Sequence, residues 1–447
     1  MTTQQFTDKL FAAAAAAGIA PSEVYYAEKD SVKIHTLNEK LDDYTVSTTA
    51  GLSFRGLVGG RMGYAYTEAL DEEAIGMLVR GVCESAALVE DEDVQEIFAG
   101  SEAYAPLDTF SPALDQVPVS EHIASAVALE QAALAQHPEV TASDFNESGY
   151  LKTRVSITNS FGLRLQHQDN ARYQIISVVS RRGERTADGV AFAIDRNPVR
   201  GDLRALTAEA VETAVRMLDA APIDSGKMPA VIRKEAMVDL LGVFSGIFSA
   251  ESAQKGLSLL QGKEGEAIAA PCVTLTDDPL LPDGMSSCPF DAEGVAAYKK
   301  DIITQGTLCT LLHNLKTARV AGVTSTGNAA KDSYSAPVRV APSNLYLQPG
   351  EQTLEELLCA MGDGLLLTDL SGLHAGANPV SGDFSLLAKG YLVRGGKVVQ
   401  AVEQITVAGN FYTLLQQAKA AGSDLFFGPS GVGSPSLWVE ELSVAGK

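Results

Sequence analysis

The chain has 447 residues, 46% hydrophobic and 20% charged, which supplies a sizeable core and excludes global disorder. Its formal net charge of −22 repels a phosphate backbone, so no nucleic acid partner is expected. The one small basic cluster, Arg181, Arg182 and Arg185, reads as a hairpin turn, and no run of 18 apolar residues offers a membrane span.

The N-terminal alanine run ending at Gly18 is short, weakly apolar and without a basic start, so it reads as a helix over 3–17 and not as a leader. Glu23 to Ala27, Val32 to Leu37, Asp43 to Thr49 and Leu52 to Val58 read as successive strands, and Gly59-Gly60 as a hairpin turn into Arg61 to Thr67. Asp71 to Leu88 is a helix with acidic residues at its start, 90–117 an acidic surface loop, and Ser120 to Gln136 a second long helix. Tyr150 to Thr158, Gly162 to Gln168, Ala171 to Val179 and Val190 to Ile194 are strands, followed by a helix over Leu203 to Leu218. Ala220 to Gly226 is the best linker, which sets two domains, 1–222 and 223–447. The second opens with a short strand, Ala230 to Ile232, and a helical region from Glu235 to about Leu260. A β-rich remainder follows, with helices at Thr353 to Met361 and Asn410 to Ala420 and a closing strand at Leu437 to Leu442. The expected class is α+β: a mixed N-terminal domain and a mostly antiparallel β C-terminal domain with a few helices.

Five scattered cysteines without CxxC spacing fit a reducing cytoplasm. The six histidines show no metal-ligand spacing, and there is no HExxH, GxSxG or GxGxxG. Gly256 to Lys263 is not a phosphate loop, because Glu264 stands where Ser or Thr would bind magnesium. Asp277-Asp278 reads either as an acid pair or as a solvated strand end, and Arg55 either as a site residue or as a sheet-face charge. Between Leu365 and Asn410 the chain alternates strands with glycine-rich turns, and Gly395-Gly396 marks a tight hairpin. His374, Asn378, Asp383 and Ser385 fall on these turns, where they either face a ligand or satisfy local backbone.

Three motifs occur in order: Ser325-Thr-Gly-Asn328, Ala341 to Gly350, and Gly372 to Asn410. With Gly51-Leu-Ser-Phe-Arg55 and Gly59-Gly-Arg-Met-Gly63 in the first half, the chain resembles the TldD/PmbA family over nearly its full length, and within it the PmbA or TldE branch. The resemblance implies a cytoplasmic zinc-dependent peptidase system acting on unfolded or extended peptides. Its TldD-type subunit holds zinc with His-Glu-x-x-x-His on a helix and a C-terminal cysteine. Here the motif positions fall on Leu241, Gly242 and Gly246, and no cysteine follows Cys359. No cofactor is therefore expected in this chain, zinc belonging to a TldD-type partner. The implied role is that of the non-catalytic subunit, in a heterodimer with that partner or in a homodimer, helping to enclose an extended peptide. Thr326, Asn328, His374, Asn378, Asp383 and Ser385 are its candidate peptide contacts. Two alternatives stand beside it: a self-sufficient metallopeptidase using ligands such as His313, His374 and Asp383, and a peptide-binding homodimeric scaffold without catalysis.

Overall fold

The computed structural model describes residues 1–89, 95–197 and 201–447. Helix α1 (Thr3–Ala16) starts on a capping box between Thr2 and Gln5 and turns Phe6 and Leu10 inward. Six antiparallel strands follow: β1 (Ser22–Leu37), β2 (Lys40–Val58), β3 (Arg61–Thr67), β4 (Val140–Asn159), β5 (Arg164–Arg182) and β6 (Arg185–Asp195), in the order β3-β2-β1-β4-β5-β6. β3 has the expected bounds; the other five strands are longer or more continuous than expected. Lys29 and Asp30, which suggested a turn, stay paired with Thr49 and Thr48 on one side and with Thr153 and Lys152 on the other. The sheet carries helices α2 (Glu72–Ala87), α3 (Pro112–Asp115), α4 (Val119–Leu134) and α5 (Leu203–Met217). Of the loop expected over 90–117, residues 90–94 lie outside the described residues, and α3 interrupts the rest.

Strand alternation divides the first sheet between two partners. Val24, Leu52 and Phe54 pack with Phe6, Leu10, Leu78 and Val82 of α1 and α2. On the other face of the same strands, Arg55, Ser53 and Tyr64 contact residues 293, 331, 334 and 336 of the second half.

The second half begins with β7 (Gly226–Ile232), α6 (Lys234–Phe244), a 3₁₀ turn at Ser245–Phe248 and α7 (Ala250–Gln254). Next come β8 (Leu275–Asp277), β9 (Lys300–Thr304), β10 (Thr307–Leu308), α8 (Leu315–Ala321), β11 (Ala329–Ala330), β12 (Arg339–Val340), β13 (Leu345–Leu347) and α9 (Leu354–Met361). The last third holds β14 (Gly364–Ser371), α10 (Leu373–Gly376), β15 (Asp383–Arg394), β16 (Lys397–Asn410), α11 (Phe411–Gln416), β17 (Ala418–Ala421), β18 (Phe426–Phe427), β19 (Val432–Ser434) and β20 (Leu437–Ala445). The helix expected through Ala420 stops at Gln416, because 418–421 pair with β20.

One sheet runs β10-β9-β8-β13-β19-β18; the other runs β16-β15-β14-β7-β20-β17, and β16 also pairs with β20. That last pairing closes a ring of five strands and removes its open edges. The α+β class is as expected, although two pairs, β7–β14 and β13–β19, are parallel. The largest apolar core joins α6, both of these sheets and α11, with Leu241, Phe244 and Phe411 fully enclosed and the two Phe rings stacked at 4.6 Å.

Candidate functional site

Helix α6 is the element on which the metal motif of a TldD-type chain would fall. Its inward face is apolar: Met237, Leu240, Leu241 and Phe244 are all buried. Leu241 therefore packs, as its chemistry predicts, and offers no lone pair. Gly242 and Gly246 lie toward the surface, and a Cβ at either would meet nothing within 4 Å. The nearest acid on this helix is Asp239, pushed up to about 6 by desolvation and by the like charges of Asp369 and Glu235. Among the described residues, no three His, Cys, Asp or Glu side chains converge to hold a metal ion. The residues present at the motif positions do not fit zinc.

Short helix α10 packs on α6 and carries exposed His374. The turn after it is held by its own side chains. Asn378 Oδ1 accepts from the Val380 and Ser381 N–H groups, and Asp383 Oδ1 accepts from Asn410 Nδ2 at 2.8 Å. The hydrogen bonds from Asn410 and Ser381 hold the Asp383 carboxyl below its ordinary value. Ser385 sits exposed on β15 opposite Ala408. Main chain here is already engaged: β16 pairs with one side of 383–385, and a bridge from Ala377 to Phe384 occupies the other. A peptide at this surface would meet side chains, not gain a strand.

Thr326 and Asn328 are placed elsewhere, in a buried polar network. Fully buried Asp277 accepts from Asn328 Nδ2 at 2.7 Å, from Lys300 Nζ at 3.2 Å and from the Ser343 N–H at 2.7 Å. Thr326 Oγ donates to Asn328 Oδ1 at 2.8 Å and accepts from the His313 N–H. Burial lowers the Lys300 pKa although Asp277 opposes the shift. The Asp277-Asp278 pair is therefore no solvated strand end; Asp277 and Lys300 are cross-strand partners inside the fold. The six candidate contacts thus form two groups, the exposed turn beside α6 and this enclosed network.

A third cluster joins the two halves of the chain. Arg55 Nε donates to Glu23 Oε1 at 2.8 Å, and its Nη1 to Glu293 Oε1 at 3.4 Å, with all three side chains at or below 9% exposure. Lys331 reaches in from the β11–β12 loop, donating to Ser53 Oγ and Tyr64 Oη and lying 4.9 and 4.8 Å from the ring centres of Tyr25 and Tyr64. Burial, then the charge of Arg55, push its ammonium down to about 7, and Glu23 opposes them. Arg55 is thus an enclosed tie, not a sheet-face charge. Its Glu23 partner was readable from strand register, two odd-numbered residues facing one another, whereas Glu293 and Lys331 carry no local signal.

Three segments match one set of domain descriptions: "PmbA/TldA metallopeptidase domain 1" over 22–86, the "central domain" over 112–218 and the "C-terminal domain" over 225–446. The chain is 26% identical to Metalloprotease PmbA of Escherichia coli O157:H7, over 95% of this chain and 92% of that one. A Thermotoga maritima protein described as a candidate modulator of a DNA gyrase has a similar crystal structure, with TM-score 0.92, 32% identity, and 99% and 100% of the two chains covered. TldE from Thermococcus kodakarensis shares the fold, with TM-score 0.91, 22% identity and the same coverage.

Proposed function

This chain belongs to the PmbA/TldA metallopeptidase family, and from that premise we propose that it is the non-catalytic, TldE/PmbA-like subunit of a cytoplasmic zinc metallopeptidase that processes or degrades extended peptides. The observation that carries the reading is the donor set on α6. Leu241, Gly242 and Gly246 supply neither a metal ligand nor a base, and among the described residues no cluster of three His, Cys, Asp or Glu side chains replaces them. The zinc and the activated water belong to a TldD-type partner. This chain's share is enclosure: the open surface over Gly242 and Gly246 leaves room for substrate backbone beside α10 with His374, and the turn after α10 offers Asn378, Asp383 and Ser385.

Self-sufficient catalysis through His313, His374 and Asp383 is disfavoured by their placement. His313 is buried beside Thr326, His374 is exposed on α10, and Asp383 is bound to Asn410. The test is metal content after a zinc soak and desalting, paired with peptide turnover alone and with an added TldD-type chain. Less than about a tenth of an equivalent of zinc, and turnover only in the mixture, is the expected result. One equivalent in the chain by itself overturns the reading.

A further inference from the structure

The face of the first sheet under α3 and α4 carries polar side chains among its apolar ones. Ile34 and Tyr150 pack there with Leu114 and Ala126, and strand alternation puts Asn146, Ser148, Gln174 and Arg172 on the same face. Most of these polar groups are satisfied. Buried Glu130 of α4 accepts from Thr36 Oγ at 2.9 Å, from the Glu39 N–H at 3.0 Å and from Ser143 Oγ at 2.6 Å, which fixes the tip of the β1–β2 hairpin. Asn146 Nδ2 donates to Thr36 Oγ at 2.6 Å and to the Ala126 carbonyl at 3.0 Å. Two buried atoms on this face have no partner among the described residues, Asn146 Oδ1 and Ser148 Oγ, and Ser148 is 3% exposed. A buried hydroxyl left unpaired is costly and calls for an explanation.

Ser148 lines a cavity of about 250 Å³ between the sheet and α4. That volume exceeds the share of one water, about 30 Å³, and falls short of the ~300–1,000 Å³ of drug-sized ligand sites, so an occupant has the size of a free amino acid. Its walls carry both signs of charge. Arg172 lines it from β5, its side chain 11% exposed, with the guanidinium oriented by Asp195 through Nε at 3.1 Å and Nη2 at 3.3 Å. Glu121 lines it from the exposed first turn of α4. Leu114 and Val117 add apolar surface, and Gln174 Nε2 donates to Ser125 Oγ at 3.2 Å, tying sheet to helix at the wall. Helix α4 starts here: Pro118 caps it without a side-chain hydrogen bond, so the positive end of its dipole lies beside Val117 and Glu121.

We propose that this cavity is a binding site for a free amino acid with an apolar side chain. The carboxylate lies toward Arg172 and accepts from Ser148 Oγ, the ammonium pairs with Glu121, and the side chain rests on Leu114 and Val117. A guanidinium has five donors, so the Asp195 bonds orient Arg172 without exhausting it. Charge and polarity select this class. A phosphate ester would meet Glu121 in a chain of net charge −22, and a purely apolar molecule would leave Ser148 Oγ unpaired. Every residue of the site comes from the first half of the chain, and none from α6 or the turn after α10. The site therefore stands or falls apart from the peptidase reading, whose tests are zinc content and turnover.

The test is isothermal titration calorimetry of the full chain with L-leucine and L-phenylalanine. Saturable binding of at least one, with a dissociation constant below about 1 mM, is the expected result. Leucinamide, which lacks the carboxylate, and isocaproate, which lacks the ammonium, bind about tenfold more weakly or worse. Ser148→Val fills the space and abolishes the titration, and because it removes an unpaired hydroxyl its thermal midpoint does not fall. Ser148→Ala, which adds no bulk, weakens binding about tenfold and guards against a misfolded valine variant. Tri-leucine, too large for the cavity, does not displace leucine. Absence of binding by either amino acid up to about 20 mM overturns the proposal, as does equal binding of either analogue or an unchanged titration in both Ser148 variants. Displacement by tri-leucine also overturns it, because the binding would then belong to the extended-peptide surface.

Discussion

Replacing Arg55 by Leu should destabilise the joint between the two halves in a pH-dependent way. The guanidinium sits between Glu23 and Glu293, whose side chains are 1% and 6% exposed. Without it, Lys331 is the cation left acting on Glu23 among the described residues, and burial already raises the Glu23 pKa from the ordinary 4.5. The cheapest outcome is protonation. Neutralising a carboxyl of ordinary pKa 4.5 at pH 8 costs about 4.8 kcal/mol, and at pH 5.5 about 1.4 kcal/mol. Glu293 still accepts the Leu315 N–H and adds less. The expected loss is therefore about 3–5 kcal/mol at pH 8, the range for breaking a buried pair, and roughly a third of that at pH 5.5. Urea unfolding followed by far-UV circular dichroism at both pH values measures it. The Glu23→Gln/Arg55→Leu double variant should recover most of the loss at pH 8. A loss under about 1 kcal/mol, or one equal at both pH values, refutes the reasoning, because it would mean that water reaches the carboxylates.

Lys331 should give the opposite pH signature. Its folded pKa lies near 7 and its unfolded value near 10.5, so below pH 7 both states hold the proton and the full burial penalty is present. From pH 7 to 10.5 the unfolded chain holds more protons, and stability should rise by at most about 1.4 kcal/mol per pH unit; Lys331→Met should remove that rise when the two urea curves are subtracted. Lys300→Met strands Asp277, which is fully buried, and should cost about 3–5 kcal/mol, with Asp277→Asn/Lys300→Met recovering part of it in the same assay. Gly189→Ala places a Cβ 2.0 Å from the Ala210 carbonyl oxygen, so α5 must lift from β6, and a loss of about 1–3 kcal/mol is expected in thermal melts. Glu130→Ala should speed amide exchange at Glu39 and its neighbours without changing exchange in β20, which would separate loosening of the hairpin tip from global destabilisation.

Local pattern made the longer helices, the glycine hairpins and the α+β class legible, while the short helices α3, α8 and α10 went unread. The signals are short-range: acidic first turns, caps at Thr2 and Asn410, and Gly395-Gly396 between strand formers. Pattern failed where a polar residue sits inside a strand. Lys29 and Asp30 look like turn residues yet pair on both sides, and Asn170 continues β5 opposite Lys152, because a paired strand tolerates polar residues. It failed again for Asp277, whose burial depends on Lys300 and Asn328 arriving from later in the chain. The absence of donors at Leu241, Gly242 and Gly246 was legible from residue identity alone. The separation of Thr326 and Asn328 from the His374 turn was not, since sequence order says nothing about which side of a sheet a loop reaches.

The closure of the five-strand ring has a consequence for how the chain acquires its structure. β7, the first strand of the second half, is hydrogen-bonded to β14 on one side and to β20 on the other. Lys234, just past β7, donates its N–H to Ser436, 202 positions later, and Lys447 donates back to Ile223. During synthesis β7 therefore emerges with both flanks bare and waits for nearly the entire remaining chain, while the first sheet already has every strand it needs. High contact order of this kind slows folding and leaves an apolar strand, Ala230-Val-Ile232, open to wrong partners in the interval. The nascent second half is thus the segment most open to mispairing until β20 slots between β7 and β16.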